Sequence, residues 1–161
     1  MLSYNQMILD ASDASAYYNI AAAALLWIML AGILVLPGTF TTLQKSDTAL
    51  QNVIQYIPLL PVAIIFYLSG MIGVLYLWNV FRGNYIWLIQ HLFQPGTLNT
   101  LTGLVTVIIN IYTARNGTWS PTAWATLAIV VVSFSWMMSL LMIYKLRLMR
   151  MRNAVAIILP N

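Results

Sequence analysis

The chain has 161 residues, of which 61% are hydrophobic and only 6% are charged. A soluble domain is usually about 25% charged, so lipid is the expected solvent for most of this chain. The net charge of +4 does not indicate a nucleic-acid partner, because basic residues crowd directly after the last apolar stretch, as at a cytoplasmic membrane face. There is no cysteine, which excludes disulfides, thiolate catalysis and cysteine-based metal sites.

Four apolar stretches have about the length of an α-helix that crosses a bilayer, the third being the shortest. We therefore predict an all-α, polytopic membrane protein with an N-terminal cytoplasmic segment, 1–17, and a basic cytoplasmic tail, 145–161. The spans lie within a transmembrane domain, 18–144, at about 18–37, 57–81, 98–112 and 123–144.

Two features are predicted to end the first span and to shape the loop after it. Pro37 and Gly38 follow the first apolar stretch, and proline cannot donate the next helical hydrogen bond. In the polar loop, 38–56, Ser46 and Asp47 are suitable caps for a short helix.

A short amphipathic helix is predicted between spans two and three. Over 84–93 the apolar residues recur at helical spacing, which is typical of a helix lying in the headgroup region. Pro95 and Gly96 are expected to end this interfacial helix. Span three is then the shortest and most polar of the four.

The distribution of Lys and Arg predicts the orientation. If both termini face the cytoplasm, the inner side holds five basic side chains: Arg82, Lys145, Arg147, Arg150 and Arg152. Only Lys45 and Arg115 lie outside, so the positive-inside rule favours this topology. Under it, Asn116 begins the glycosylation acceptor sequence Asn-Gly-Thr in an outer loop.

Span three carries a polar stripe, in which the intervals between residues are three, four, four and three. Its members are Asn99, Thr102, Thr106, Asn110 and Thr113. Residues at this spacing share one face of a helix. Polar groups in hydrocarbon need partners, so the stripe indicates either hydrogen bonding between helices or the lining of a pore or substrate cavity. The side chains are neutral, which suits a small neutral solute or a weakly selected ion.

Small residues on span two predict close helix packing. Ser69, Gly70 and Gly73 include a small-xxx-small interval, which lets two backbones approach. The partner helix can belong to the same subunit or to another one.

The ionisable residues argue against chemistry and for lipid contact. His91 is the single histidine and cannot form a paired metal or haem site. Asp10, Asp13 and Asp47 are the only acids, and none lies in a predicted span, which argues against ion-coupled transport and paired-carboxylate catalysis. The residues expected to contact anionic lipid headgroups are Arg82, His91, Lys145, Arg147, Arg150 and Arg152.

Three stretches resemble uncharacterised multi-span membrane proteins of filamentous fungi. They are Pro37–Leu43, Asn84–Leu88 and Pro95-Gly96. The resemblance carries no known activity or site residues. It implies a eukaryotic plasma-membrane or endomembrane location, and a natural chain with a longer polar tail beyond Asn161.

From these observations we expect a non-enzymatic integral membrane protein without a cofactor. It is expected to act by self-association, or as a subunit or scaffold of a larger membrane assembly, with lipids in its helix grooves. The alternative is an oligomeric channel lined by the polar stripe of span three.

Overall fold

A computed structural model describes residues 4–42, 59–114, 119 and 121–158. The helix predicted at Ser46 and Asp47 and the glycosylation motif at Asn116 lie outside these residues.

The described residues form helices and contain no strand. The helices are α1 (Tyr4–Ser12), α2 (Ala16–Thr42), α3 (Leu59–Val80), α4 (Tyr85–Trp87), α5 (Gln94–Ala114) and α6 (Pro121–Ile158). Four stretches are long and apolar enough to cross a membrane: Ala16–Val35, Pro61–Val80, Tyr85–Thr113 and Ala123–Ala154. The all-α class and the four candidate spans are thus confirmed.

Helix α2 does not end where the sequence predicts. Its backbone stays helical through Pro37 and Gly38 to Thr42. Proline removes one backbone hydrogen bond and bends a helix, but opening the helix at that point would expose several more backbone groups. In an apolar environment the second cost is larger. The prediction of a helix end at Pro37 is therefore wrong.

The segment after α3 is also continuous with the next span. Helix α4 passes into a π-helical turn, Leu88–Phe93, in which the backbone N–H of Gln94 bonds the carbonyl of Ile89, five residues earlier. This wider turn comes directly before Pro95, whose ring would clash with a carbonyl in a regular α-helical turn. The predicted stop at Pro95-Gly96 is wrong. The third candidate span has 29 residues, whereas each of the first two has 20, so it is not the shortest.

The apolar side of this segment packs on protein. Trp87, Leu88, Leu92 and Phe93 are fully buried and belong to the largest hydrophobic cluster, together with residues of α2, α3 and α6. The amphipathic pattern over 84–93 therefore marks a contact with the helix bundle.

Helix α2 packs against α3, α5 and α6. Its contact with α3 is the most extensive in the described part of the chain, because glycines on both helices let the backbones meet. A Cβ atom on Gly32 would lie 2.8 Å from the carbonyl oxygen of Ala63, and one on Gly70 would lie 2.7 Å from the backbone nitrogen of Met29. Only glycine fits at such distances.

The N-terminal segment contains a helix that the sequence analysis did not predict. Helix α1 packs on α4 and α6, and Met7 is its buried contact residue. Tyr4, Met7 and Ala11 recur at helical spacing on its inner side, with Met7 buried and the other two half-buried. That spacing is the signal from which α1 was predictable.

Helix α6 has 38 residues, so it is about 57 Å long, nearly twice the roughly 30 Å of a bilayer core. It continues through the basic residues to Ile158.

Candidate functional site

The polar stripe of α5 has two kinds of member. The hydroxyls of Thr102, Thr106 and Thr113 each donate to a carbonyl four residues earlier in the same helix, at 3.0, 2.8 and 2.7 Å. Threonines bonded in this way need no partner from another helix. Thr106 is half-buried, and the other two are exposed.

Asn99 and Asn110 differ from these threonines. Both are half-buried, and neither carboxamide makes a hydrogen bond to any residue that the structure describes. They lie eleven residues apart, about 16 Å along the helix and on nearly the same face. Each carboxamide can donate two hydrogen bonds and accept two. An unmade hydrogen bond of this kind is costly in hydrocarbon.

The covered face of α5 lies next to the stripe. Gly96, Thr100, Gly103, Val107 and Ile111 are buried against α2 and α6. A Cβ atom on Gly103 would lie 3.0 Å from Ile33 of α2, so the helices are close here. Each stripe residue from Asn99 to Asn110 precedes a residue of the covered face by one position. The stripe is therefore rotated by about 100° from the contact with α2 and α6.

Two further threonines of α5, at Thr97 and Thr100, are buried. Their hydroxyls bond the carbonyls of Phe93 and Gly96 at 2.7 and 2.9 Å. The sequence pattern placed neither in the stripe, and both serve the packing of α5 within the subunit.

A second group of polar and aromatic side chains lies where α3 leads into α4. Asn84 caps α4 by accepting from the Trp87 N–H at 3.0 Å, and its amide donates to the carbonyl of Met7 in α1 at 3.2 Å. The indole of Trp87 donates to Asn19 of α2 at 2.8 Å. One buried residue, Asn84, thus joins the first helix to the turn after α3. Sequence reasoning missed Asn84, although Asn before an apolar segment is a common capping signal.

His91 belongs to this group. Its ring lies nearly parallel to that of Trp87, with centroids 5.4 Å apart, and Trp87 also stacks on Phe81, at 3.8 Å. The residue is half-buried, and its Nδ1 atom is buried without a hydrogen-bond partner among the described residues. The imidazole predicted to contact lipid is therefore packed largely against tryptophan.

The remaining predicted lipid-contact residues are exposed: Arg82, Lys145, Arg147, Arg150 and Arg152. Trp78 bonds Tyr144 at 2.8 Å, one helical turn before Arg82 and directly before Lys145. The structure thus brings Arg82 and the start of the basic segment, 145–152, to the same end of the bundle.

The small residues of α3 have separate environments. Gly70 and Gly73 face Leu25 and Met29 of α2. Ser69 is exposed, and its hydroxyl donates to the carbonyl of Phe66 at 3.0 Å.

Comparison with protein-family models, with curated proteins and with solved structures finds no match.

Within the described ranges, no three His, Asp or Glu residues lie close enough together to hold a metal ion. Within the polar stripe, the carboxamides of Asn99 and Asn110 are the side chains without a hydrogen-bond partner among the described residues.

Proposed function

We propose that this chain is an integral membrane protein that acts without catalysis, by associating laterally with itself or as a subunit of a larger membrane assembly. The observation that carries the proposal is the pair of carboxamides at Asn99 and Asn110 that have no hydrogen-bond partner among the described residues, on a helix long and apolar enough to cross a bilayer. A partner helix that bonds both amides lowers the free energy of the assembly relative to the separate subunits.

Lipid is the second proposed partner, without a further cofactor. The exposed basic side chains at one end of the bundle attract anionic headgroups, and the large exposed apolar side chains of the spans suit acyl chains. The excess of Lys and Arg at this end supports a cytoplasmic location for both termini. The resemblance to fungal membrane proteins supports a eukaryotic plasma membrane or endomembrane.

A channel is the alternative function, and it uses the same residues. If several copies surround a common axis, the carboxamides and the exposed Thr102 and Thr113 line a neutral path. Flux of a small neutral solute or ion through reconstituted vesicles, reduced by Asn110→Leu, is the result that favours this alternative.

The test of association is the subunit number of the protein extracted with its native lipids, measured by stepwise photobleaching and by native mass. We expect oligomers or complexes with another membrane protein for the natural chain. In the variant Asn99→Leu/Asn110→Leu we expect association to weaken about 30-fold, because each of the two intramembrane hydrogen bonds contributes about 1 kcal/mol.

The matched control is Asn79→Leu, which replaces an exposed asparagine in the last turn of α3, three residues before Arg82, where headgroups and water can bond the amide. It should leave the subunit number unchanged. A monomer without a copurifying partner, for the natural chain at its native density, would contradict the proposal.

A further inference from the structure

We infer that the polar stripe of α5 is the contact surface for a second copy of this chain, with the two α5 helices parallel and each asparagine facing its own counterpart. The inference rests on the proposed function, since it names the partner and the register of the proposed association.

The chemistry of the stripe is self-complementary. A carboxamide both donates and accepts, so Asn99 can bond the partner's Asn99, and Asn110 can bond the partner's Asn110. No side chain of the stripe is charged, so binding to this surface does not require a partner of opposite charge. A second copy of the chain supplies the hydrogen-bond donors and acceptors that both asparagines need.

The spacing of the stripe fits a pair of helices. From Asn99 to Thr113 there are four intervals over fourteen residues, a mean of 3.5 residues. The intervals of three, four, four and three keep the stripe on one side of α5 over about four turns, so two parallel helices can remain in contact along it at a shallow crossing angle of about 20°.

The side chains between the asparagines permit close approach. The hydroxyls of Thr102 and Thr106 are bonded to carbonyls of their own helix. These threonines are small and need no hydrogen bond from a partner helix, so they can lie at the centre of the contact. Asn99 and Asn110 then supply the hydrogen bonds between the two helices.

The orientation of the copies sets the symmetry. All copies of a membrane protein with one topology point the same way, so two identical α5 helices that meet in the membrane are parallel. A two-fold axis along the membrane normal then places each residue of the stripe opposite itself. An antiparallel pairing, with Asn99 facing Asn110, is excluded for copies in the same membrane.

The absence of cysteine makes a direct test possible. Thr102→Cys and Thr106→Cys place a thiol on the stripe and keep both asparagines. Leu101→Cys and Val105→Cys are the matched controls, because these residues are exposed at the same depth on a different face of α5. Each variant is oxidised in its native membrane with a lipid-soluble catalyst, and the disulfide-linked dimer is measured on a non-reducing gel.

We expect dimers of Thr102→Cys and Thr106→Cys at least fivefold more abundant than those of the controls. Adding Asn99→Leu/Asn110→Leu to Thr106→Cys should remove most of that dimer. Equal crosslinking of stripe and control thiols, in a protein that is still oligomeric by native mass, would overturn the α5 pairing and leave self-association standing. Crosslinking of the stripe thiols to a different protein would also overturn it. A monomer by native mass would overturn the pairing and self-association together.

Discussion

The indole Nε1 of Trp78 on α3 donates to the hydroxyl of Tyr144 on α6, at 2.8 Å. Eleven residues earlier on both helices, the hydroxyls of Tyr67 and Ser133 lie 2.6 Å apart. The two bonds join residues with the same separation in sequence, which requires α3 and α6 to run parallel and in one register. The backbones of these two helices stay apart. The two helices are therefore connected on this side of the bundle by hydrogen bonds between side chains.

The first prediction concerns this link. Trp78→Phe and Tyr144→Phe should each destabilise the protein by about 1 kcal/mol, because each leaves the other group without its partner. The double variant should lose less than the sum, with a coupling energy of about 1 kcal/mol. Unfolding in mixed detergent micelles, followed by circular dichroism, measures these values. Tyr112→Phe, at a tyrosine that is 62% exposed, is the control and should have little effect.

The second prediction separates the two roles of Asn84. Asn84→Ala should detach α1 and remove the cap of α4, at a cost of about 1–2 kcal/mol. Asn84→Asp keeps the oxygen that accepts from Trp87 but loses the amide that donates to Met7. Hydrogen exchange of the α1 amides should therefore accelerate in both variants, whereas exchange at the start of α4 should accelerate only in Asn84→Ala. Unchanged exchange in α1 for both would show that Asn84 does not hold it.

The third prediction tests the close contact of α2 with α3. Alanine is favoured over glycine in a helix by about 1 kcal/mol, so Gly70→Ala would stabilise an uncovered position. At Gly70 the added Cβ meets the backbone of Met29 and Leu25, at 2.7 and 2.8 Å. We expect a net loss of about 1–3 kcal/mol instead. Ser69→Ala, at the exposed neighbouring residue, is the control for thermal unfolding in detergent.

The fourth prediction concerns anionic lipid at the basic segment. Replacing Arg147, Arg150 and Arg152 by Gln should reduce the retention of phosphatidylserine about fivefold for each charge removed. Native mass of the protein with bound lipid measures the retention, and added salt should weaken it in the natural chain. The matched variant with Lys at all three positions keeps the charges. It should retain the lipid; if it loses as much as the Gln variant, the contact does not depend on charge.

The fifth prediction is the orientation. Single cysteines at Ser15 and Asn153 should react with an impermeant maleimide from the cytoplasmic side of sealed vesicles. A cysteine at Trp119 should react from the opposite side, because an even number of spans separates the first two positions and an odd number separates Trp119 from either. All three residues are exposed. Labelling of Ser15→Cys and Asn153→Cys from opposite sides would contradict the four-span topology.

The sequence analysis predicted the effect of two prolines wrongly. Pro37 and Pro95 were expected to end helices, and both lie inside helical runs. A proline costs one hydrogen bond at its own position, which local sequence reveals. The cost of interrupting the helix depends on what surrounds the freed backbone groups, and that is a property of the fold.

For the asparagines, too, part of the result was predictable from the sequence and part was not. Periodicity placed Asn99 and Asn110 on one face of α5, but only the packed structure separates that face from the adjacent buried one, with Thr100 and Gly103. Asn84 begins the segment that was predicted to lie in the headgroup region, and it is buried, at 6% exposure, between α1 and α4.

The sequence by itself determined the helical class, the four apolar stretches and the concentration of positive charge at one end. These features follow from length and composition over about 20 residues, because the preference of such a stretch for an apolar environment does not depend on the rest of the fold. Only the tertiary structure decided which face of each helix is covered, how α1 docks and which amides stay unbonded. In a helix that spans a membrane, the face packed against protein and the face exposed to lipid are both apolar, so hydrophobic periodicity cannot distinguish them.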